Sequence, residues 1–252
     1  MKKILGLYLT ATLTFLIWAT LSCLVENIVI DLEVENFIKN ARFVPEVSDY
    51  SNKYYLVEPD EPLDSKCYTK QNGRYYPGGP GDIICAKESA IRTPILGEAL
   101  TFYTGGHAAI SAFNYDDSSF TSREDQVIEV TGFGSRTTVT TESKYQFDAL
   151  YNEYMAYRVK APLKDRQRAF ARAISYVGEE YNYSFMFELQ NKKYCSDLVS
   201  RSFDYIGIDL NQDNVATTVL DIMASHNTYL CYYSRVDKNG IRHNFILGDS
   251  LE

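Results

Sequence analysis

Chemistry is most concentrated around Cys195, in Tyr194-Cys195-Ser196-Asp197, where a helix begins after the charged turn Asn191-Lys192-Lys193. A helix N-terminus and two nearby lysines favour thiolate over thiol, and the thiolate is the nucleophile. The competing reading is a buried structural cysteine, because a free thiol packs as a small hydrophobe. A base separates the two readings, and the chain offers only His107, His226 and His243. His107 follows Thr104-Gly105-Gly106 and precedes Ala108-Ala109-Ile110, so a glycine turn feeds it into a strand. His226 lies in a polar stretch and His243 in a basic one, and both read as surface residues. A third group that fixes the imidazole completes such a pair. Glu129, the one charged residue in Val127-Ile128-Glu129-Val130, is the candidate, with an edge carboxylate facing water as its alternative. Tyr194 and Tyr183 are the candidates for touching substrate. Asp116-Asp117 and Glu179-Glu180 are adjacent pairs whose side chains point different ways, which suits solvent better than paired-acid chemistry. The sequence holds no P-loop, G-x-S-x-G elbow or H-E-x-x-H pair. His107, Glu129 and Cys195 lack the paired short spacings of a zinc site, so neither metal nor cofactor is implied.

The elements that must position these groups follow from local pattern. Ile83 to Ala86 is an apolar strand, Pro94 to Tyr103 has helical spacing, and Arg136 to Thr141 is β-prone. Tyr154 to Val159 is another strand. Asp165 to Tyr181 reads as an amphipathic helix with Phe170, Ala173, Ile174 and Val177 on one stripe. A second helix runs from Cys195 to Ile206 and stops at Gly207. Strands followed by a helix pair indicate an α+β fold.

The N-terminus reads differently. Lys2 and Lys3 precede an apolar run from Ile4 to Leu24, about 32 Å at about 1.5 Å per residue, enough to cross a bilayer core. Charge order suggests a cytoplasmic N-terminus and an exported remainder. Residues 1–30 are thus expected to be an uncleaved transmembrane anchor, with signal cleavage or lipidation at Cys23 as alternatives. Residues 31–77, acidic and rich in proline, read as a stalk or irregular extension ahead of a domain over 78–252. A net charge of −8 and a pI near 5.0 argue against nucleic-acid binding. Cys67, Cys85 and Cys231 remain on the exported side. They allow one disulfide, Cys67 with Cys231 among the pairings, and connectivity is not readable from sequence. Cys85 on its apolar strand reads as a buried thiol.

Five segments occur in one order: Gly81-Asp82-Ile83-Ile84, Gly106-His107-Ala108-Ala109-Ile110, Ile128-Glu129-Val130, Tyr181-Asn182-Tyr183-Ser184-Phe185 and Tyr194-Cys195-Ser196-Asp197-Leu198-Val199. Over about residues 78–210 that order resembles the YiiX/YebB-like branch of the NlpC-type cysteine hydrolases. The resemblance implies a circularly permuted papain-like fold, with a small antiparallel sheet packed against helices, and it explains the order His, Glu, Cys. It also implies Cys195 as nucleophile, His107 as base and Glu129 as orienting residue. Asn182 stands where the family usually has Asp, and Asp197 where it usually has Glu.

The expected activity is hydrolysis of an amide bond, with cell-wall peptide the first substrate to consider for an exported, anchored domain. The same thiol chemistry would serve a lipid acyl hydrolase, an acyltransferase or a thioesterase. A third reading is a non-catalytic surface domain whose tyrosines, including Tyr75-Tyr76 and Tyr232-Tyr233, line a binding groove. Oligomeric state is not readable.

Overall fold

A nine-stranded sheet forms the frame in the computed structural model, which describes every residue except 1, 89–93, 114, 118–119, 133–137, 186–188, 212–215 and 252. Across the sheet the strands are β1 (Ala41–Phe43), β2 (Asn52–Val57), β15 (Arg242–Leu247), β14 (Thr228–Val236), β11 (Glu153–Val159), β5 (Ile83–Ala86), β6 (His107–Ser111), β9 (Gln126–Glu129) and β10 (Thr140–Ser143). All neighbours are antiparallel except β15 and β2. Three strand pairs lie outside it: β3 (Tyr68–Gln71) with β4 (Arg74–Pro77), β7 (Tyr115–Asp117) with β8 (Phe120–Ser122), and β12 (Glu180–Tyr181) with β13 (Lys192–Lys193). The helices are α1 (Lys2–Lys39), α2 (Pro94–Thr104), α3 (Tyr145–Leu150), α4 (Leu163–Ile174), α5 (Cys195–Asp204) and α6 (Val219–Ala224).

The two-residue period of a strand divides the core into two layers. Ile83, Cys85, Ala108, Ile110, Met155 and Tyr157 face the layer that includes Phe170 of α4 and Leu198, Val199 and Phe203 of α5. Ile84, Ala86, Ala109, Tyr154 and Ala156 face a tyrosine-rich layer with Tyr54, Tyr68, Tyr75, Tyr232 and Phe147. Strands covered on both faces must be apolar throughout, which is why Ile83-Ile84-Cys85-Ala86 shows no alternation. Tyr232 Oη lies 2.8 Å from the Tyr75 carbonyl oxygen and 3.0 Å from Asn244 Oδ1, so its hydroxyl has an acceptor inside the core. Tyr75, Tyr76, Tyr232 and Tyr233 are all buried, so these tyrosines are packing residues and line no open groove.

Several expectations change. The helix expected over Asp165 to Tyr181 ends at Ile174. Turns then carry the chain past Gly178, at φ +92°, into β12, leaving Val177 exposed. The β-prone stretch from Arg136 lies partly outside the described residues, and β10 begins at Thr140. Residues 31–77, expected as a stalk or irregular extension, supply the end of α1 together with β1, β2, β3 and β4. Tyr54, Leu56 and Val57 of β2 are buried, and β15 pairs with it from the far end of the chain, a partner no local pattern announces. With β14 and β15 these segments widen the sheet beyond the small one expected.

Helix α1 is the one helix among the described residues long and apolar enough to cross a membrane. Tyr8, Leu9, Leu13, Leu16, Ile17 and Leu21 are exposed along its first half. Its last turns enter the fold: Ile30, Val34 and Phe37 are core residues, Glu33 Oε1 accepts from the Leu230 N–H at 2.9 Å, and Asp31 pairs with Lys87 at 2.6 Å. Fully burying one such apolar side chain is worth about 1.5–3 kcal/mol. Removing residues 1–24 is therefore expected to leave the denaturation midpoint of the domain nearly unchanged. Removing 1–40 should lower its stability by at least about 3 kcal/mol, since three core side chains go. Equal midpoints for the two truncations would show that the docked turns add nothing.

Candidate active site

Gly105 and Gly106 bring His107 to the sheet. Gly105 has φ +69°, and a Cβ on Gly106 would lie 1.9 Å from the Glu88 carbonyl oxygen and 2.5 Å from that of Ala86. Only glycine permits that approach. His107 then opens β6 opposite Ala86, and β9 lies on the other side of β6 with Glu129 at its end. His107 Nε2 and Glu129 Oε2 are 2.7 Å apart, and both residues are buried. Phe147 of α3 stacks on the imidazole, with ring centroids 5.7 Å apart and planes 24° apart.

Cys195 is the first residue of α5, half-buried, with Tyr194 as the residue capping the helix. Its side chain is hydrogen-bonded to His107. Since Nε2 is held by Glu129, Nδ1 is the nitrogen left for the sulfur. Burial alone would raise the thiol's pKa, but the hydrogen bond and charge of His107, with backbone N–H groups of Ala108 and Ser196, bring it below its usual value. On His107, burial works against the imidazolium. The hydrogen bonds with Cys195 and Glu129 and the Glu129 charge overcome it and raise the pKa well above the ordinary histidine value. Both shifts favour a thiolate–imidazolium pair at neutral pH.

The two lysines before Cys195 are engaged elsewhere. Lys193 Nζ is bound to Glu179 Oε2 at 2.6 Å and Lys192 Nζ to Glu180 Oε2 at 2.7 Å. The lowering of the thiol therefore rests on the imidazole and the helix start, and Glu179-Glu180 serve as ion-pair partners. Of the other histidines, His226 is exposed, whereas His243 is half-buried between Tyr55 Oη and Asp237.

The two substrate candidates differ. Tyr194 is buried, its ring 5.7 Å from that of Phe185. Tyr183 is exposed and donates to the Gly132 carbonyl at 3.1 Å. Sequence reasoning missed Tyr181, whose ring lies tilted 4.8 Å from that of Tyr183 and edge-on 6.0 Å from that of Phe185. Its pKa is raised, first by burial and then by the Cys195 charge. It missed Phe147 as well. An aromatic wall of Tyr181, Tyr183, Phe185 and Tyr194 thus flanks the thiol, with Asn182 Oδ1 accepting from Ser184 N and Oγ to hold the turn between them.

The sequence from residue 80 to residue 224 matches the model of the permuted papain-like amidases, the YaeF/YiiX or C92 family. That is more than half of the chain. The chain belongs to this C92 amidase family. Its fold is accordingly permuted papain-like, α+β, with one long apolar N-terminal helix. Among solved structures the chain is similar to the metalloprotein yiiX from Escherichia coli O157:H7, at 15% identity and a TM-score of 0.46, over 60% of this chain and 95% of that one. A search of curated proteins finds no match. The C92 match covers Asp82, His107, Glu129 and Cys195, but β1, β2, β14 and β15 lie outside it.

Proposed function

We propose that this C92 family member is a thiol-dependent amide hydrolase in which Cys195 is the nucleophile, His107 the base and acid, and Glu129 the positioning residue. The observation that carries the reading is the unbroken link from the Glu129 carboxylate through the buried imidazole to a half-buried sulfur at a helix start. The thiolate attacks the carbonyl carbon, and the oxyanion forms next to the backbone N–H groups at the start of α5, where the helix dipole favours negative charge. The His107 imidazolium protonates the departing amine and becomes the base that activates water against the acyl-enzyme. Release of the carboxylic acid returns Cys195 and His107 to the starting pair.

Charge order supports an anchored domain on the extracytoplasmic side: Lys2 and Lys3 precede the apolar half of α1, and the domain follows it. Cell-wall peptide fits such a placement. One observation favours a second substrate, an acyl chain of a membrane lipid. Tyr103 of α2 meets the apolar run through Thr20 Oγ1 at 3.1 Å and Cys23 Sγ at 3.5 Å, and His107 follows four residues later. Fatty-acid release from phospholipid vesicles, set against amine release from wall fragments, distinguishes the two.

The first test is the pH dependence of Cys195 alkylation by iodoacetamide. Thiolate forms as pH rises through the lowered pKa of Cys195, so the rate should climb and level off below the ordinary thiol value of about 8.5. In His107→Ala the lowering partner is gone while burial remains, so the inflection should move above that value. Glu129→Gln removes the charge that sustains the imidazolium, so an intermediate inflection is expected. Turnover should follow a bell, limited on the acid side by Cys195 and on the alkaline side by His107. An inflection indifferent to His107 sinks the assignment.

A further inference from the structure

Away from the site, Cys67, Asp82 and Cys231 meet in the buried layer behind the sheet. Their sulfur and carboxylate atoms all lie within 4.8 Å of one another, and none of the three residues is exposed. Cys231 Sγ donates to Asp82 Oδ2 at 3.6 Å, and the Cys231 side chain is also hydrogen-bonded to Cys67. The set could suit a metal ion by residue type, but its carboxylate is already committed. Arg158 Nε donates to Asp82 Oδ1 at 2.8 Å, Arg158 Nη2 to Oδ2 at 2.9 Å, and the Gly79 N–H to Oδ2 at 2.7 Å. Lys144 Nζ binds Thr69 Oγ1 and the Gly78 carbonyl nearby. A divalent cation would have to displace a buried guanidinium. Two thiols in contact need no such displacement to react with each other.

We propose that Cys67 and Cys231 form a disulfide when the chain folds under oxidising conditions. Both Sγ–H bonds break, one Sγ–Sγ bond forms, and the two electrons and two protons pass to a disulfide of the thiol-carrier class, which becomes a dithiol. Because both sulfurs are fully buried in the finished fold, exchange precedes final packing, and the completed bond is shielded from reductants. The cross-link joins the segment before β3 to the middle of β14. That the bond is present in the living cell rests on the exported reading of the domain.

The full chain, denatured, reduced and refolded in detergent with glutathione disulfide, is unfolded again in denaturant and alkylated there with one reagent, then reduced and alkylated with a second before peptide mass analysis. Cys67 and Cys231 should carry the second reagent, and Cys85 and Cys195 the first. Recovery of Cys67 and Cys231 with the first reagent, or pairing of either with another cysteine, overturns the proposal. So does one equivalent of zinc retained after refolding with zinc and no oxidant, if Cys231→Ser loses it. Linked protein should melt roughly 5–10 °C above reduced protein. The same double labelling on membranes from expressing cells reads the compartment. Free thiols there, with the bond formed on refolding, leave the pairing standing and overturn the exported reading.

Discussion

Cys195→Ala is expected to remove hydrolysis by at least about a thousandfold while changing stability by no more than about 1–2 kcal/mol. The asymmetry comes from where the sulfur sits. It is half-buried at the first residue of α5, so its loss opens little core, and the backbone of the helix start is unaffected. His107 keeps its 2.7 Å bond to Glu129 and its stacking on Phe147, so the imidazole stays in place with nothing to activate. Turnover of an amide substrate by wild type and variant, with urea unfolding of both, makes the comparison. Retained turnover would transfer the chemistry to another residue. Loss of turnover with a large fall in stability would make Cys195 structural.

Arg158→Met is expected to be the most destabilising single change outside the site, by about 3–5 kcal/mol. Arg158 is 1% exposed, and its guanidinium satisfies both Asp82 oxygens and the carbonyls of Ser65 and Lys66 at 2.8 Å each. Removing it leaves a fully buried carboxylate with the Gly79 N–H and the weak Cys231 thiol, and takes a donor from the Ser65 and Lys66 carbonyls. Asp82→Asn in the same chain removes the uncompensated charge, so the double variant should recover part of the loss, a coupling that a mutant cycle from denaturation midpoints measures. Strictly additive losses would mean that the pair does not act as one unit. Asp82 directly precedes β5, whose Ala86 pairs with His107, so the pair secures the strand next to the imidazole.

The candidate site was readable because its signals are short. A glycine pair before His107, one acid in an apolar strand and a cysteine at a helix start are each local, and the family resemblance that their order carries implies the fold. The surroundings were not readable for the same reason. Phe147 reaches His107 from a helix with no distinctive pattern, and Tyr181 lies in a segment where every second residue is aromatic. By charge alone Lys192 and Lys193 read as activators of the thiol, whereas Glu180 and Glu179 meet them around the β12–β13 pairing. The acidic, proline-rich composition of 31–77 describes its turns. Strand β2 within it is stabilised by β15, about 190 residues away in sequence, which a reading by windows does not register.

Helix α1 enters the core without a break, and under the proposed anchoring this gives the domain a fixed bearing. A flexible tether would let the site sample a hemisphere above the bilayer. A helix whose last turns are locked by Ile30, Val34 and Phe37 acts instead as an axle. Each residue between the apolar half and the docked turns sets the azimuth of the domain in steps of about 100° and its height in steps of about 1.5 Å. Under the proposed anchoring, the direction in which the thiol looks is in that sense written in a residue count, and the site surveys a surface rather than a volume.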